Sequence, residues 1–250
     1  MESFIHYELN IYEWLLVILC GMLIGMSKTG LSGAGLFVVP VFAGIFGGKP
    51  SVGLVLPMLI IADFFAVRYY NRHAEWKYVL KLLPWALAGI LIALIVGENI
   101  DDQHFQILIV VVVLVGIALM VYQDLRRKKV SVPDYWWFAA ILGLSGGFAT
   151  MIGNAAGPIL SLYLLSMRLP KNIYIGTGAW FFFIVNLSKV PLHIFFWETI
   201  TWESLKFNVL MIIPIILGAV SGFFIVKLIP EKSYRIFIIL STLASAFALI

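Results

Sequence analysis

GMSKTGLSGAG at residues 25–35 and GLSGGFATMIGNAAGP at residues 143–158 are two glycine-broken stretches that lie in register with one another. Gly33, Ala34, Gly35 and Lys49 fall on Ala155, Ala156, Gly157 and Lys171 at a constant offset of 122 residues. Further on the offset drifts, so that Pro84 meets Pro214 and Phe105 meets Tyr234, as it does when loops differ in length between two copies. A hydrophobic unit written twice, each copy interrupted by glycines, is the pattern from which secondary transporters are built.

Composition fixes the compartment. Hydrophobic residues make up 62% of the 250-residue chain, charged residues only 12%, and the mean hydropathy is +1.02, which a water-soluble globule of this size cannot bury. The apolar stretches are mostly near the length of about 20 residues that a helix needs to cross the hydrocarbon core, and none alternates as a membrane β-strand does. The sequence therefore predicts an all-α polytopic membrane protein. Ten segments are expected, at about 11–26, 31–47, 51–70, 78–97, 103–123, 135–150, 155–167, 173–197, 204–228 and 235–250. They divide into a first membrane repeat at 1–125, a basic linker at 126–134 and a second repeat at 135–250. The first lysine is Lys28, so the first apolar stretch lacks the basic flank of a cleavable signal and reads as a helix. Cys20 is the single cysteine, and no Cys, His or carboxylate spacing suggests a metal; no cofactor is expected.

The net charge of +4 is a topology signal and not the mark of a nucleic-acid partner. If all ten segments span, 14 of the 17 basic residues, among them Arg68, Arg72, the run 126–129 and Lys227, collect on one side. The positive-inside rule puts that side in the cytoplasm and both termini outside. Five segments per repeat is an odd number, so the second repeat enters from the opposite side and the repeats are inverted. The first two segments of each repeat are short and glycine-broken, and a pair of half-helices forming a re-entrant hairpin is the alternative to a spanning pair. Either arrangement leaves an odd number of crossings. A homo-oligomer is compatible with the sequence, which does not fix the oligomeric state.

Where a membrane helix breaks, the backbone N–H groups of the following helix are unpaired and the positive end of its dipole favours an anion. Inverted repeats bring two such breaks together. Candidate substrate-binding residues are accordingly Ser27, Lys28, Thr29, Gly33 and Gly35 at the first break, and Thr150, Asn154 and Gly157 at the second. Close packing of small residues is the competing account of the glycines, but it does not explain a lysine in their midst. Segment eight adds Asn186, Lys189 and His193 on one helical face, and segment three adds Asp63. Charges at membrane depth cost about 2.5 to 3.5 kcal/mol each, which makes all of them functional suspects. Asn186 and Lys189 join the substrate site. Asp63 and His193 are candidate proton carriers, Asp63 having as its alternative an ion pair with Lys28, Lys189 or Arg68. Trp85 and Trp180 lie inside segments, where packing and cavity lining are the two readings.

One further pattern competes. GLSG at 143–146 has the form of the GxSG of rhomboid intramembrane proteases, with His193 two segments later as a base. Duplication and inversion have no purpose in such an enzyme, and an anion channel is the nearer alternative to a carrier.

Taken together, Gly25 to Pro40, the Ala62–Asp63 pair followed by a basic loop, and Gly157–Pro158 with Tyr163 resemble the TauE/SafE sulfite exporter family of membrane permeases over nearly the whole chain. The resemblance implies a duplicated bacterial permease for sulfite, for sulfonates such as sulfoacetate, and for related organosulfur anions, and no enzyme. The glycine-rich motif of that family is present only loosely, as Gly33, Ala34, Gly35 and as Ala155, Ala156, Gly157.

Overall fold

The computed structural model describes residues 7, 9–31, 34–105, 107–108, 111, 135–230 and 233, with Ala34 and Leu36 described by backbone alone. The linker at 126–134, the fifth segment beyond its first turns and the whole tenth segment lie outside the described residues. Helix α1 spans Ile11–Lys28, α2 Val38–Phe46, α3 Gly48–Tyr70 and α4 Trp76–Glu98; in the second half α5 spans Trp136–Gly153, α6 Gly157–Ser166, α7 Lys171–Phe195 and α8 Trp202–Leu228. Among the described residues there is no strand.

Six of these helices are long and apolar enough to cross a membrane, counting the turn at 71–73 with α3. The segments expected at 31–47 and 155–167 are different. They form a 3-10 turn, Ala34–Phe37, followed by the 9-residue α2, and the 10-residue α6. At 1.5 Å per residue each helix rises only about 14 to 15 Å, half of a hydrocarbon core of about 30 Å. Only the second member of each glycine-broken pair is thus short; α1 and α5 are 18 residues each.

Local sequence sets the ends. Asn10 caps α1 in a reciprocal box with Glu13, its Oδ1 accepting from the Glu13 N–H at 3.0 Å while Glu13 Oε2 accepts from the Asn10 N–H at 2.8 Å. Thr201 and Ser204 do the same for α8. The Asp102 carboxylate accepts from the N–H groups of Gly48 and Lys49, at 3.0 and 2.9 Å, and so caps α3 from a distant loop.

α3 and α7 form the centre, with buried residues along most of their length, and pack on one another. Around them α1 lies against α8 and α4 against α5. Both seams are made by small residues. A Cβ on Gly25 would fall on the Ile215 carbonyl oxygen, and one on Gly218 on that of Met22. Across the other seam, a Cβ on Gly147 would fall on the Ala86 carbonyl and one on Gly89 on that of Leu144. Gly25 and Gly147 are 122 residues apart, the offset between the two glycine-broken stretches, and the same close approach occurs at both.

Away from the seams, Leu15, Leu19, Leu91, Ile95, Ile213 and Phe224 are exposed, the belt that a bilayer covers. Tyr12, Trp76, Trp136 and Trp202 are exposed near helix ends, as expected of interfacial aromatics. Trp197 and Tyr70 are not part of that belt. Trp197 is buried edge-on against Phe105 and His193, and Tyr70 packs beside Tyr69 and Phe223.

Candidate functional site

α1 stops at Lys28 because Thr29, Gly30 and the glycines beyond it cannot carry the helix on; Gly30 has φ 127°, a conformation open to glycine. α5 stops at Asn154, whose φ of 53° is left-handed, a role that asparagine tolerates. Between these two ends lies a cavity of about 100 Å³. That is well above the roughly 10–15 Å³ that admits one water. Its walls are mainly apolar, from Ile24, Val55, Leu59, Leu160 and Phe182 among others, with polar groups from Ser27, Lys28, Asn154, Ser161 and Tyr174.

Lys28 reaches the cavity with its ammonium 3.0 Å from Asp63 Oδ1 and 3.9 Å above the centre of the Phe182 ring. Asp63 lies behind it, fully buried, with its Oδ2 accepting from Asn186 Nδ2 at 2.6 Å. Asn186 belongs to α7, so this bond joins the two halves. Lys189, one turn further along α7 and also fully buried, donates to Thr150 O at 2.9 Å, Thr150 Oγ1 at 3.1 Å and Asn154 Oδ1 at 2.7 Å. Three acceptors match the three N–H bonds of an ammonium. Asn154 Nδ2 donates to Val52 O of α3 at 3.2 Å, a second tie between halves.

Of the residues singled out in the sequence, Ser27, Lys28, Gly35, Asn154 and Gly157 line the cavity. Thr150, Lys189, Asp63 and Asn186 stand directly behind Lys28 and Asn154. Ser27 turns its proton back to Ile24 O at 2.9 Å and leaves only lone pairs for a ligand. Thr29 faces elsewhere: its hydroxyl bonds back to Gly25 O at 3.1 Å and Met26 O at 3.2 Å, and it abuts Gly222 in the α1–α8 seam. His193 sits apart, its Nδ1 2.7 Å from Thr199 Oγ1 and its ring edge-on to Trp197. Gly33 lies outside the described residues. Ser145 is exposed on α5 while His193 is fully buried, so the serine and histidine of the GxSG pattern do not meet. Trp85 and Trp180 pack on Trp136 and Trp76 and do not line the cavity.

Two polar residues on the cavity wall escape a reading of the sequence. Tyr174 donates to Ser161 Oγ at 2.8 Å, and the Ser161 proton has no acceptor among the described residues. Both belong to ordinary residue types in apolar runs, and only their pairing across α6 and α7 marks them. Gly157 adds open space: a Cβ there would meet nothing within 4 Å. The donors available to a ligand are therefore the Lys28 ammonium, the second N–H of Asn154, the Ser161 hydroxyl and the Gly157 N–H where α6 begins, Pro158 having none, while Ser27 offers lone pairs.

Nothing among curated proteins or solved structures matches the chain significantly. The family described as sulfite exporter TauE/SafE does, over residues 17–249, and that family implies membrane transport of sulfite or related sulfur anions. The chain, with six helices able to span a bilayer and a donor-lined cavity between its two glycine breaks, belongs to the sulfite exporter TauE/SafE family.

Proposed function

We propose that this chain is a secondary transporter which exports small sulfur oxyanions, sulfite or sulfonates, with the cavity between the glycine breaks as the substrate site. The observation that carries the reading is the convergence of donors: Lys28, Asn154, Ser161 and the Gly157 end of α6 line one small space, with no Asp or Glu among its described lining residues. A cation would want carboxylates or carbonyls there, whereas a compact cluster of acceptor oxygens suits these groups. The two halves act as inverted repeats in a bacterial inner membrane, termini outside and basic loops in the cytoplasm. Recurrence of the glycine seam and of the lysine-to-carbonyl bonds from α3 and α7 supports that arrangement.

Direction follows from electrostatics. An outward-moving anion gains about 2.3 kcal/mol per charge per 100 mV of inside-negative potential, so export needs no coupling ion. Asp63 then serves as the counter-charge of Lys28, and a proton carried by Asp63 or His193 enters only for uptake. Alternating access opens the cavity to each side in turn.

The test is flux of labelled sulfite into proteoliposomes, with and without substrate preloaded inside. Saturable uptake accelerated by preloading is the expected result. Flux that is linear in concentration and indifferent to preloading would make the protein a channel, and undiminished flux in folded Lys28→Gln would remove this cavity from the path.

A further inference from the structure

Ser161 differs from the other serines of the helices. Ser27, Ser51, Ser166, Ser188 and Ser221 each return the hydroxyl proton to a carbonyl three or four residues back, where a helical serine ordinarily puts it. Ser161 is buried and makes no such bond among the described residues; it accepts instead from the Tyr174 hydroxyl at 2.8 Å. One lone pair is thereby filled from α7, and the space open to the Ser161 proton is the cavity that both residues line. Tyr174, Gly178 and Phe182 follow one another at intervals of four along α7 and all face that cavity, so they form a single stripe. Phe182 has the Lys28 ammonium 3.9 Å above its ring centre. Tyr174 stands two turns nearer the start of α7, about 12 Å away along the axis. Gly157, Leu160, Ser161 and Leu164 supply the facing stripe from α6. The cavity is thus a groove with an ammonium at one end, a hydroxyl pair at the other, and Ile175, Gly178 and Ala179 between them.

We infer that the Ser161–Tyr174 pair is a second contact for the substrate: Lys28 takes the sulfonate group, Ser161 donates to an oxygen at the far end of the same molecule, and Tyr174 is the positioning residue that keeps the Ser161 proton turned to the cavity. The inference rests on the transport reading given above. A sulfonate whose two-carbon spacer ends in a hydroxyl or a carboxylate spans about 5 Å between its outer oxygens, and a hydrogen bond of about 2.8 Å at each end extends that reach to about 10 or 11 Å. The length matches the two turns that separate the ends of the groove. Sulfite has a single polar group and uses the Lys28 end alone. A buried hydroxyl without an acceptor is costly, so a substrate ending in oxygen satisfies Ser161 and one ending in a methyl leaves it unpaired. A site built to hydrogen-bond its ligand discriminates in this way far better than an apolar wall does. Tyr174 acts through Ser161. Without the phenol hydroxyl, Ser161 is free to turn back to the Gly157 or Pro158 carbonyl, as the other serines do to theirs.

The experiment uses the full chain in proteoliposomes with labelled hydroxyethanesulfonate and propanesulfonate, and labelled sulfite alongside. The two sulfonates carry the same charge and have nearly the same shape, and they differ in ending on a hydroxyl or a methyl. In the unaltered protein kcat/KM is expected to favour hydroxyethanesulfonate about tenfold. In Ser161→Ala and in Tyr174→Phe that ratio is expected to fall to near one, and the double variant is expected to lower it no further, because both changes remove the same contact. A merely structural loss lowers both fluxes alike and leaves the ratio where it was. A ratio near one in the unaltered protein, or flux of sulfite without flux of either sulfonate, overturns the second contact and leaves sulfur-anion transport standing. A ratio that survives Ser161→Ala overturns the assignment to this pair, and one lost in Ser161→Ala but kept in Tyr174→Phe overturns the positioning role. No flux of any of the three anions overturns the transport reading itself. Should Tyr174→Phe fail to fold, the unaltered chain and Ser161→Ala decide whether the second contact stands.

Discussion

Lys49 and Lys171, 122 residues apart, make the same bond: Lys49 Nζ donates to Ile100 O at 2.9 Å and Lys171 Nζ donates to Ile229 O, also at 2.9 Å. Each lysine lies in the first turn of a central helix and ties it to the chain just beyond the next helix. Removing either bond leaves carbonyls that must find water, a loss of about 1 to 3 kcal/mol for a charged donor. Lys49→Met and Lys171→Met are expected to lower the unfolding temperature in detergent by similar amounts. A large effect of one and none of the other would end the equivalence.

Glycines at the seams and glycines at the cavity are expected to part company. Gly25→Ala and Gly147→Ala drive a methyl into backbone carbonyls and should destabilise by at least about 1 to 3 kcal/mol, the range of overpacked cores. Gly157→Ala meets no protein atom. It should keep the unfolding temperature and reduce flux, because its methyl occupies substrate space. Unfolding curves and transport on the same preparations separate the two outcomes.

Asn154 combines a left-handed turn with two side-chain bonds. Asn154→Gly keeps the turn and loses the bonds, leaving Lys189 short of an acceptor; Asn154→Ala adds backbone strain of about 1 kcal/mol or more. The expected order of stability is Asn154, then glycine, then alanine, read by thermal unfolding. Alanine above glycine would show that the turn matters less than its geometry implies.

Among the described residues, acid sensitivity has one identifiable source outside the membrane-spanning helices. Hydrogen bonds from the His104 backbone and ring hold the Asp101 carboxyl below its ordinary value. A depressed carboxylate contributes stability that is present above the unfolded pKa, about 3.9, and is lost as pH falls through the lower folded value. The step is small because the pair is exposed to solvent. Comparing Asp101→Asn with the unaltered protein below about pH 4 should show a shallower acid decline in the variant.

What was legible in the sequence was the cost of things. Glycines that break a membrane helix, and Lys28, Asp63 and Lys189 at membrane depth, announce themselves because each is expensive without a reason. Distances between helices are not written in any one segment. Asp63 had three candidate partners, and only the packing of α1 on α3 selects Lys28. Thr29 looked like a ligand because it stands beside Lys28; one step along a helix turns a side chain by 100°, and it caps the helix and packs on α8 instead. Ser161 and Tyr174 were invisible for the opposite reason, being unremarkable until two helices set them 2.8 Å apart. The half-length of α2 and α6 was open because apolar composition alone does not say where a helix starts.

The glycine seams also set the order in which this molecule can be put together. α4 and α5 lie in the middle of the chain and are both made before α7 and α8, so their seam can close while the ribosome is still at work. α1 emerges well before its seam partner α8, and until α8 is made its glycine stripe has no complementary backbone to meet. Of the two described seams the α1–α8 contact is therefore the later to close, and contacts absent from the rate-limiting step of folding are those that hold back unfolding. The working lifetime of the assembled protein is, on this account, stored in the joint between two helices made far apart in time.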